Sequence, residues 1–408
     1  MDGMPSTPPI PLPQIHTHHF PHGLLFPLLQ SHLPYSGPLL RRIQHDLNHP
    51  SKTAKYLATL TPETSHSDQN SPESPWLAAY VDVHAGRETQ VWIYSSLEPL
   101  SRRQPDGNDG VSTFLGAGIA PAAIEETRAQ LVALMSYIRT VLLPGYLSTL
   151  ENKRNAGGEL TNGSVEGTPR IPAHPPTSIL VGSLHSGLLE LLSTPPSQSP
   201  QMRYPRVHIH RTHHPNVKYI FSRDKYVQQP DTNENAVLPP GYRFHDRQGR
   251  RGLKLRQVPL VQDRTYIFRS KELLMALASA VVYHDDTNTD ENQDDSEDNP
   301  VSWVFLGYDG SLTTLHVEPE HRGKGLAVQV GMEVMRSGMG TASTLFDLAG
   351  DGPEEQGWVY ADVLAENAAS RRVMEKMGGE AKWTVAWVVV EVCADGQCSY
   401  CFQNARGS

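Results

Sequence analysis

The sequence predicts an α/β protein built from two units, on three observations. At 408 residues the chain exceeds one ordinary hydrophobic core. Short apolar or alternating stretches at 56–60, 76–83, 89–95, 301–307 and 311–317 read as strands. The run 312–327 changes period midway. Its alternation stops at Pro319, a glycine turn follows, and Ala327, Val330, Gly331, Val334 and Met335 then fall at helical spacing.

The elements follow in order. Residues 1–20 read as a disordered tail, in which His16, His18 and His19 lack fixed geometry. The apolar run 24–29 starts a first unit, 21–200. Within it, the strands at 76–83 and 89–95 meet across a short turn. A long helix spans 122–143 and stops at the breaker pair Pro144-Gly145. A polar, Gly-rich stretch, 152–176, precedes a short strand at 178–181 and a helix at 184–192. Residues 201–240 read as a connecting segment with a strand at 217–221. His208, His210, His213 and His214 stand before that strand and read as surface residues. Pro239-Pro-Gly-Tyr242 opens a second unit, 241–393, with 394–408 as a tail.

In the second unit, 253–258 reads as a strand and 271–280 as a helix. The acidic stretch 285–298 contains almost no apolar residue and reads as a solvated, disordered insertion. A basic tract, 243–256, has no partner that the sequence can identify. Strands at 357–363 and 383–392 enclose a helix with Ala369, Val373 and Met377 on one face. No internal repeat is visible by identity.

Composition narrows the class. A formal charge of −9 argues against general nucleic-acid binding. No uninterrupted apolar run reaches the length of a bilayer span, and the N-terminus lacks a secretory layout. Cys393, Cys398 and Cys401 are an odd set without a companion histidine. A structural zinc takes four ligands, so no metal is expected. A cytoplasmic or nuclear compartment fits this cysteine usage, and no membrane partner is expected.

The strand–glycine turn–helix unit is an anion site by construction, because the unpaired N–H groups and the positive end of the helix dipole meet at the turn. It is not a dinucleotide fingerprint, since Val328 stands where the third glycine belongs. It is not a P-loop, since no Ser or Thr follows Lys324. Arg322-Gly-Lys-Gly325-Leu-Ala327 resembles the pyrophosphate-binding segment of the GNAT superfamily of CoA-dependent N-acetyltransferases, Gln/Arg-x-x-Gly-x-Gly/Ala. Further on, Asn367-x-x-Ser370 leading into a helix that ends near Lys376-x-Gly378 resembles the second motif of that family. The likeness covers about 241–392. The order of elements also resembles the glycine N-acyltransferase-like branch, with 21–200 as a degenerate GNAT-like domain. That unit has no Arg-Gly-x-Gly loop and is expected to hold no CoA of its own. A piece covering about 200–408 is expected to bind CoA if it folds.

The resemblance implies a mixed, mostly antiparallel sheet flanked by helices. It also implies an acetyl-CoA-dependent N-acyltransferase whose partners are acyl-CoA and the amine of a small molecule or protein. Arg322, Gly323, Lys324, Gly325, Leu326 and Ala327 would hold the pyrophosphate. The pantetheine arm would run along Leu315 and Val317, flanked by Asn367 and Ser370. Asn367 equally suits an N-cap. A backbone N–H near Val317 would meet the oxyanion, and the base is left open among Glu318, His316 and Asp362. Where many relatives place a proton-donating tyrosine, this chain has Met374, and Gly379 replaces a common aromatic. The alternative is a catalytically silent acyl-CoA-binding or interaction protein that keeps the fold. The acceptor, the acyl length and the oligomeric state stay open.

Overall fold

A computed structural model describes residues 12–62, 74–103, 113–116, 118–156, 171–193, 205–227, 238–285, 298–339, 345–346 and 357–393. The strands are β1 (His16–Thr17), β2 (Lys55–Ala58), β3 (Leu77–Val81), β4 (Val91–Ser95), β5 (Arg102–Arg103), β6 (Thr113–Phe114), β7 (Ile179–His185), β8 (Val207–Phe221), β9 (Tyr242–Arg243), β10 (Ala278–His284), β11 (Ser302–Leu306), β12 (Ser311–Val317), β13 (Val359–Leu364) and β14 (Glu380–Val392). The α-helices are α1 (Leu25–Ser31), α2 (Gly37–Asn48), α3 (Pro121–Tyr137), α4 (Leu143–Asn155), α5 (Ser186–Ser193), α6 (Arg223–Val227), α7 (Val258–Asp263), α8 (Lys271–Ala276), α9 (Leu326–Gly338) and α10 (Ala368–Lys376).

One sheet runs through both halves in the order β1-β2-β3-β4-β7-β14-β8-β13-β12-β11-β10-β9. Its described pairs are antiparallel except β4 with β7 and β12 with β13. Each of these parallel pairs holds register over two residues and then parts, so each half contains a wedge. The join between halves is an exchange. β14, last in the chain, pairs with β7 of the first half over Val385–Val390, and β8 pairs with β13 of the second half along its length. Side chains follow the exchange: Ala386, Val388, Val390 and Val392 are buried with Leu131, Leu134 and Leu188 of the first half. Helices cover both faces of each half, α1 and α2 opposite α3 in the first, α7 and α8 opposite α9 in the second.

Several expectations change here. The segment 201–240 is not merely a connector, because 207–221 is a central strand. Its polar alternation, with four histidines, hides a strand whose pairing comes from β14. Residues 253–258 are not a strand. Leu255–Gln257 form a 3-10 turn running into α7, and Gln257 Oε1 closes the turn by accepting from the Lys254 N–H at 2.9 Å. The helix expected over 271–280 stops at Ala276, and 278–284 is β10. The long helix does not stop at Pro144. A π-turn at Ile138–Leu142 passes into α4, where Pro144 occupies the first turn and needs no N–H donor. By length and composition, 121–155 could cross a membrane. Its apolar residues Leu131, Leu134, Met135 and Ile138 are buried in the core.

Part of the expected N-terminal tail is ordered. His16 and Thr17 pair with β2, and His18 is buried with its ring Nε2 at 2.9 Å from Leu60 O. The described part of the polar stretch after 152 includes the end of α4, while 157–170 lie outside the described residues. The same holds for 286–297 of the acidic insertion, 394–408, His214's side chain, Cys398 and Cys401. Asp285 and Asp298, at the two ends of the insertion, both bind Arg243 (2.7 and 3.0 Å). The basic tract is partly neutralised in the same way, Arg250 by Asp246 and Arg251 by Glu333 on α9.

Candidate active site

The larger wedge, between β12 and β13, opens into a cavity of about 550 Å³. Its walls come from both halves: β12 and β13, the 264–269 segment, the strap 171–174, the turn before β4, and β8. Two local features open the wedge. Thr314 has φ of +55°, and the β11–β12 register slips between the Trp303–His316 and Phe305–Thr313 pairs. That is a bulge, which bends β12 away from its neighbour. The Glu318 N–H bonds Val301 O on the β11 side at 2.9 Å. Backbone groups of alternate residues leave a strand by alternate edges, so Leu315 and Val317 present theirs toward β13. Arg322 Nε donates to Val317 O on that edge at 3.0 Å. The resemblance assigned this edge to the pantetheine.

The anion loop lies where β12 ends. Pro319–His321 make a 3-10 turn, and Gly323 and Gly325 have φ of +78° and +80°. Gly325 is the N-cap of α9, so the first-turn N–H groups of a 13-residue helix face this loop. A Cβ on either glycine would meet nothing within 4 Å. Glycine is required there by the left-handed backbone, and the space before the loop is open. Lys324 Nζ is held by the Tyr242 hydroxyl at 2.7 Å, which also lies 2.8 Å from His321 Nδ1. Tyr242, seen in the sequence only as a boundary marker, is thus a prop for the loop. No spacing rule connects residues 242 and 324. The open space, the orphan N–H groups and the two cations Arg322 and Lys324 fit a pyrophosphate. Leu326 is buried beneath the loop. Ala327 opens α9 beside it.

Asn367 caps α10: its Oδ1 accepts from the Ser370 N–H at 3.0 Å. Both residues also line the cavity, so the capping and lining roles coexist. The three candidate bases separate. Glu318 is outside the cavity lining and is held by Arg264 Nε at 2.9 Å. Asp362 lines the cavity but is paired at 2.8 Å with Lys218, a lysine with a side chain only 1% exposed. His316 lines the cavity, stacks on Trp303 with ring centroids 4.6 Å apart, and has Nε2 3.4 Å from Glu318, outside hydrogen-bond geometry. Burial lowers its pKa below 6.5, opposed by Glu318 and reinforced by Arg322 and Arg264. Met374 is buried at the cavity wall.

The wedge of the first half is filled. A void of only about 10 Å³ remains between β4 and β7, bordered by Tyr35, Trp92, Lys218 and Trp383. Trp387 from β14 packs on Gly182, leaving no room even for a Cβ there. A Gly116-Ala-Gly118 pair does precede α3, but it lacks an arginine, and its wedge has no volume for a pantetheine arm. The histidines also divide. His213 lines the cavity, whereas His210 pairs with Glu391 of β14 at 2.7 Å. Their expected surface role fails for His213 because β8 is interior. Among the described residues no three His, Cys, Asp or Glu side chains are grouped to hold a metal.

Residues 12–219 match the family model described as the acyl-CoA N-acyltransferase verG N-terminal domain. No curated protein matches. Among solved structures, the chain is similar to a Drosophila protein at 14% identity, covering 92% of this chain and 97% of that one, with a TM-score of 0.46. A tandem GNAT protein from the clavulanic acid biosynthesis pathway is similar at 10% identity, with coverage of 92% and 97% and a TM-score of 0.36. A putative GNAT-family acetyltransferase from Novosphingobium aromaticivorans is similar at 12% identity, with coverage of 53% and 74% and a TM-score of 0.28. The family match reaches Tyr219, near the end of β8, and spans just over half of the chain. The chain belongs to the acyl-CoA N-acyltransferase verG N-terminal domain family.

Proposed function

We propose that the protein transfers an acyl group, acetyl by default, from CoA to a primary amine by direct attack in a ternary complex. The supporting observation is that one cavity joins the open β12–β13 wedge to His316, the only one of the three candidate bases not ion-paired to a cation. The pyrophosphate is held at Arg322–Gly325 and the first turn of α9, and the arm runs along the Leu315 and Val317 edge. The amine nitrogen attacks the thioester carbonyl carbon. A backbone N–H of that edge supports the oxyanion. The C–S bond then breaks, the amine's proton passes to His316, and the thiolate leaves with a proton from the imidazolium or water. Burial keeps His316 neutral at pH 7, the form that accepts a proton. Low cysteine usage supports a cytoplasmic or nuclear site of action.

One observation favours the silent, CoA-binding alternative: buried Met374 offers the leaving thiolate no proton. Turnover of labelled acetyl-CoA across an amine panel separates the two readings. His316→Gln is expected to lower kcat/KM by about 10²–10⁴ and to abolish the acid limb of the pH profile. CoA binding without acylation of any amine would select the silent reading. Wild-type kcat/KM in His316→Gln would remove His316 as the base.

A further inference from the structure

Where β8 and the turn before β4 line it, the cavity contains a cationic recess that acyl transfer itself does not use. Arg87, in the turn before β4, donates to Ile171 O at 2.9 Å, and Arg211 of β8 donates to Pro172 O at 3.0 Å. Both guanidinium groups are therefore tied to one strap and held near each other. Arg87 also lies over the Phe268 ring, 4.2 Å from its centroid. No carboxylate among the described residues pairs with Arg211, and its Nε is buried without a hydrogen-bond partner. The Nε2 atom of His213 is buried and unpartnered beside it. Burial, then the charge of Arg87, pulls the Arg211 guanidinium below its ordinary pKa. Glu88, beside Arg87 in the sequence, is committed to Arg269 at 3.8 Å and to the Ser270 N–H at 2.8 Å. A buried donor without an acceptor, such as Arg211 Nε, is costly unless a ligand completes the site, and a guanidinium favours an anion there.

Position sets the geometry of that anion. Asn216 pairs with Leu364, the last residue of β13, and Arg211 lies five residues further along β8. β8 bulges between Asn216 and His213, so the two positions face Val385 and Val389 of β14, four residues apart, on the order of 13 Å at about 3.3 Å per residue. With the reach of the arginine side chain, the separation from the wedge is roughly 10 Å. A carboxylate next to the reacting amine, as in an α-amino acid, would not span it.

Resting on the acyltransferase reading above, we propose that the acceptor is a small-molecule amine carrying a carboxylate remote from its nitrogen, and that Arg211 with Arg87 receives that carboxylate. The degenerate half thereby sets acceptor specificity without doing chemistry. Bidentate guanidinium–carboxylate geometry suits this task better than a lysine would.

The test uses the full chain and two series, ω-amino acids from glycine to ω-aminododecanoate and their neutral carboxamides. Acetylation is followed by CoA thiol release, and equilibrium binding to the CoA-loaded protein is measured separately. kcat/KM is expected to rise with chain length in the carboxylate series and to exceed that of the matched amide at least tenfold. Arg211→Gln is expected to erase that preference while leaving the amides unchanged, and Arg211→Lys to restore part of it. A best substrate of glycine, or equal losses for acid and amide in Arg211→Gln, would overturn the proposal. Failure of the acyltransferase reading looks different. If no amine is acetylated but the long carboxylates still bind in an Arg211-dependent way, the recess stands and catalysis does not. If carboxylate and amide bind alike, the recess falls regardless of turnover.

Discussion

Separating the two halves should unfold both of them. In a fragment of residues 205–408, β14 loses its β7 partner and the core that its inward face completes. Val388, Val390 and Val392 would be exposed, three valines now no more than 7% exposed. At about 1.5–3 kcal/mol for each buried side chain, this costs about 5–9 kcal/mol. Trp383 also loses Tyr35, on which it stacks at 4.5 Å. A typical domain is stable by only about 5–15 kcal/mol in total. The fragment is therefore expected to be unfolded or aggregated, and not to bind CoA. The sequence expectation that a piece of about 200–408 binds CoA if it folds then fails on its condition, folding. Urea denaturation followed by circular dichroism should show one transition for the full chain. Two separate transitions, or a monomeric fragment with a full cooperative transition and intact CoA affinity, would refute the reasoning.

Other consequences are local. Gly325→Val places a β-branched residue at φ +80°, at a cost of about 1–3 kcal/mol, and should weaken CoA binding severely by calorimetry. Unchanged affinity in a folded variant would detach the loop from the pyrophosphate. Lys218→Met leaves Asp362 buried without its cation and should destabilise by about 3–5 kcal/mol in urea, with Lys218→Met/Asp362→Leu recovering most of the loss. Because burial lowers the His316 pKa, kcat/KM should stay level above pH 6.5 and fall only as pH drops through a lower value, measured with an acceptor whose own titration is known. An acid limb centred above 6.5 would contradict this. Joining residues 285 and 298 through a short Gly/Ser link should spare CoA affinity, whereas Asp298→Asn, which weakens acceptance from Arg243 and from the Arg247 N–H, should cost about 1–3 kcal/mol of stability. A large loss of CoA binding on the deletion would show that the insertion does more than solvate.

The end of β12 and the glycine loop after it were legible in the sequence because their signals are local. The change from alternation to helical spacing at Pro319, the glycines at 323 and 325, and the capping asparagine at 367 each act within one turn of their own position. The strands at 77–81, 91–95 and 302–317 were legible for the same reason. The exchange of β8 and β14 was not, since pairing between strands far apart in the chain leaves no mark on either strand's composition. A histidine-rich alternating stretch looks the same at a surface as beside a cavity. The ranking of His316, Asp362 and Glu318 also needed the tertiary structure. What separates them is whether Lys218 or Arg264, distant in sequence, arrives within ion-pair range. Residue types set which chemistry was available to this chain. Long-range packing decided which of those groups was left uncommitted in the cavity, because burial and charge pairing belong to neighbours in space.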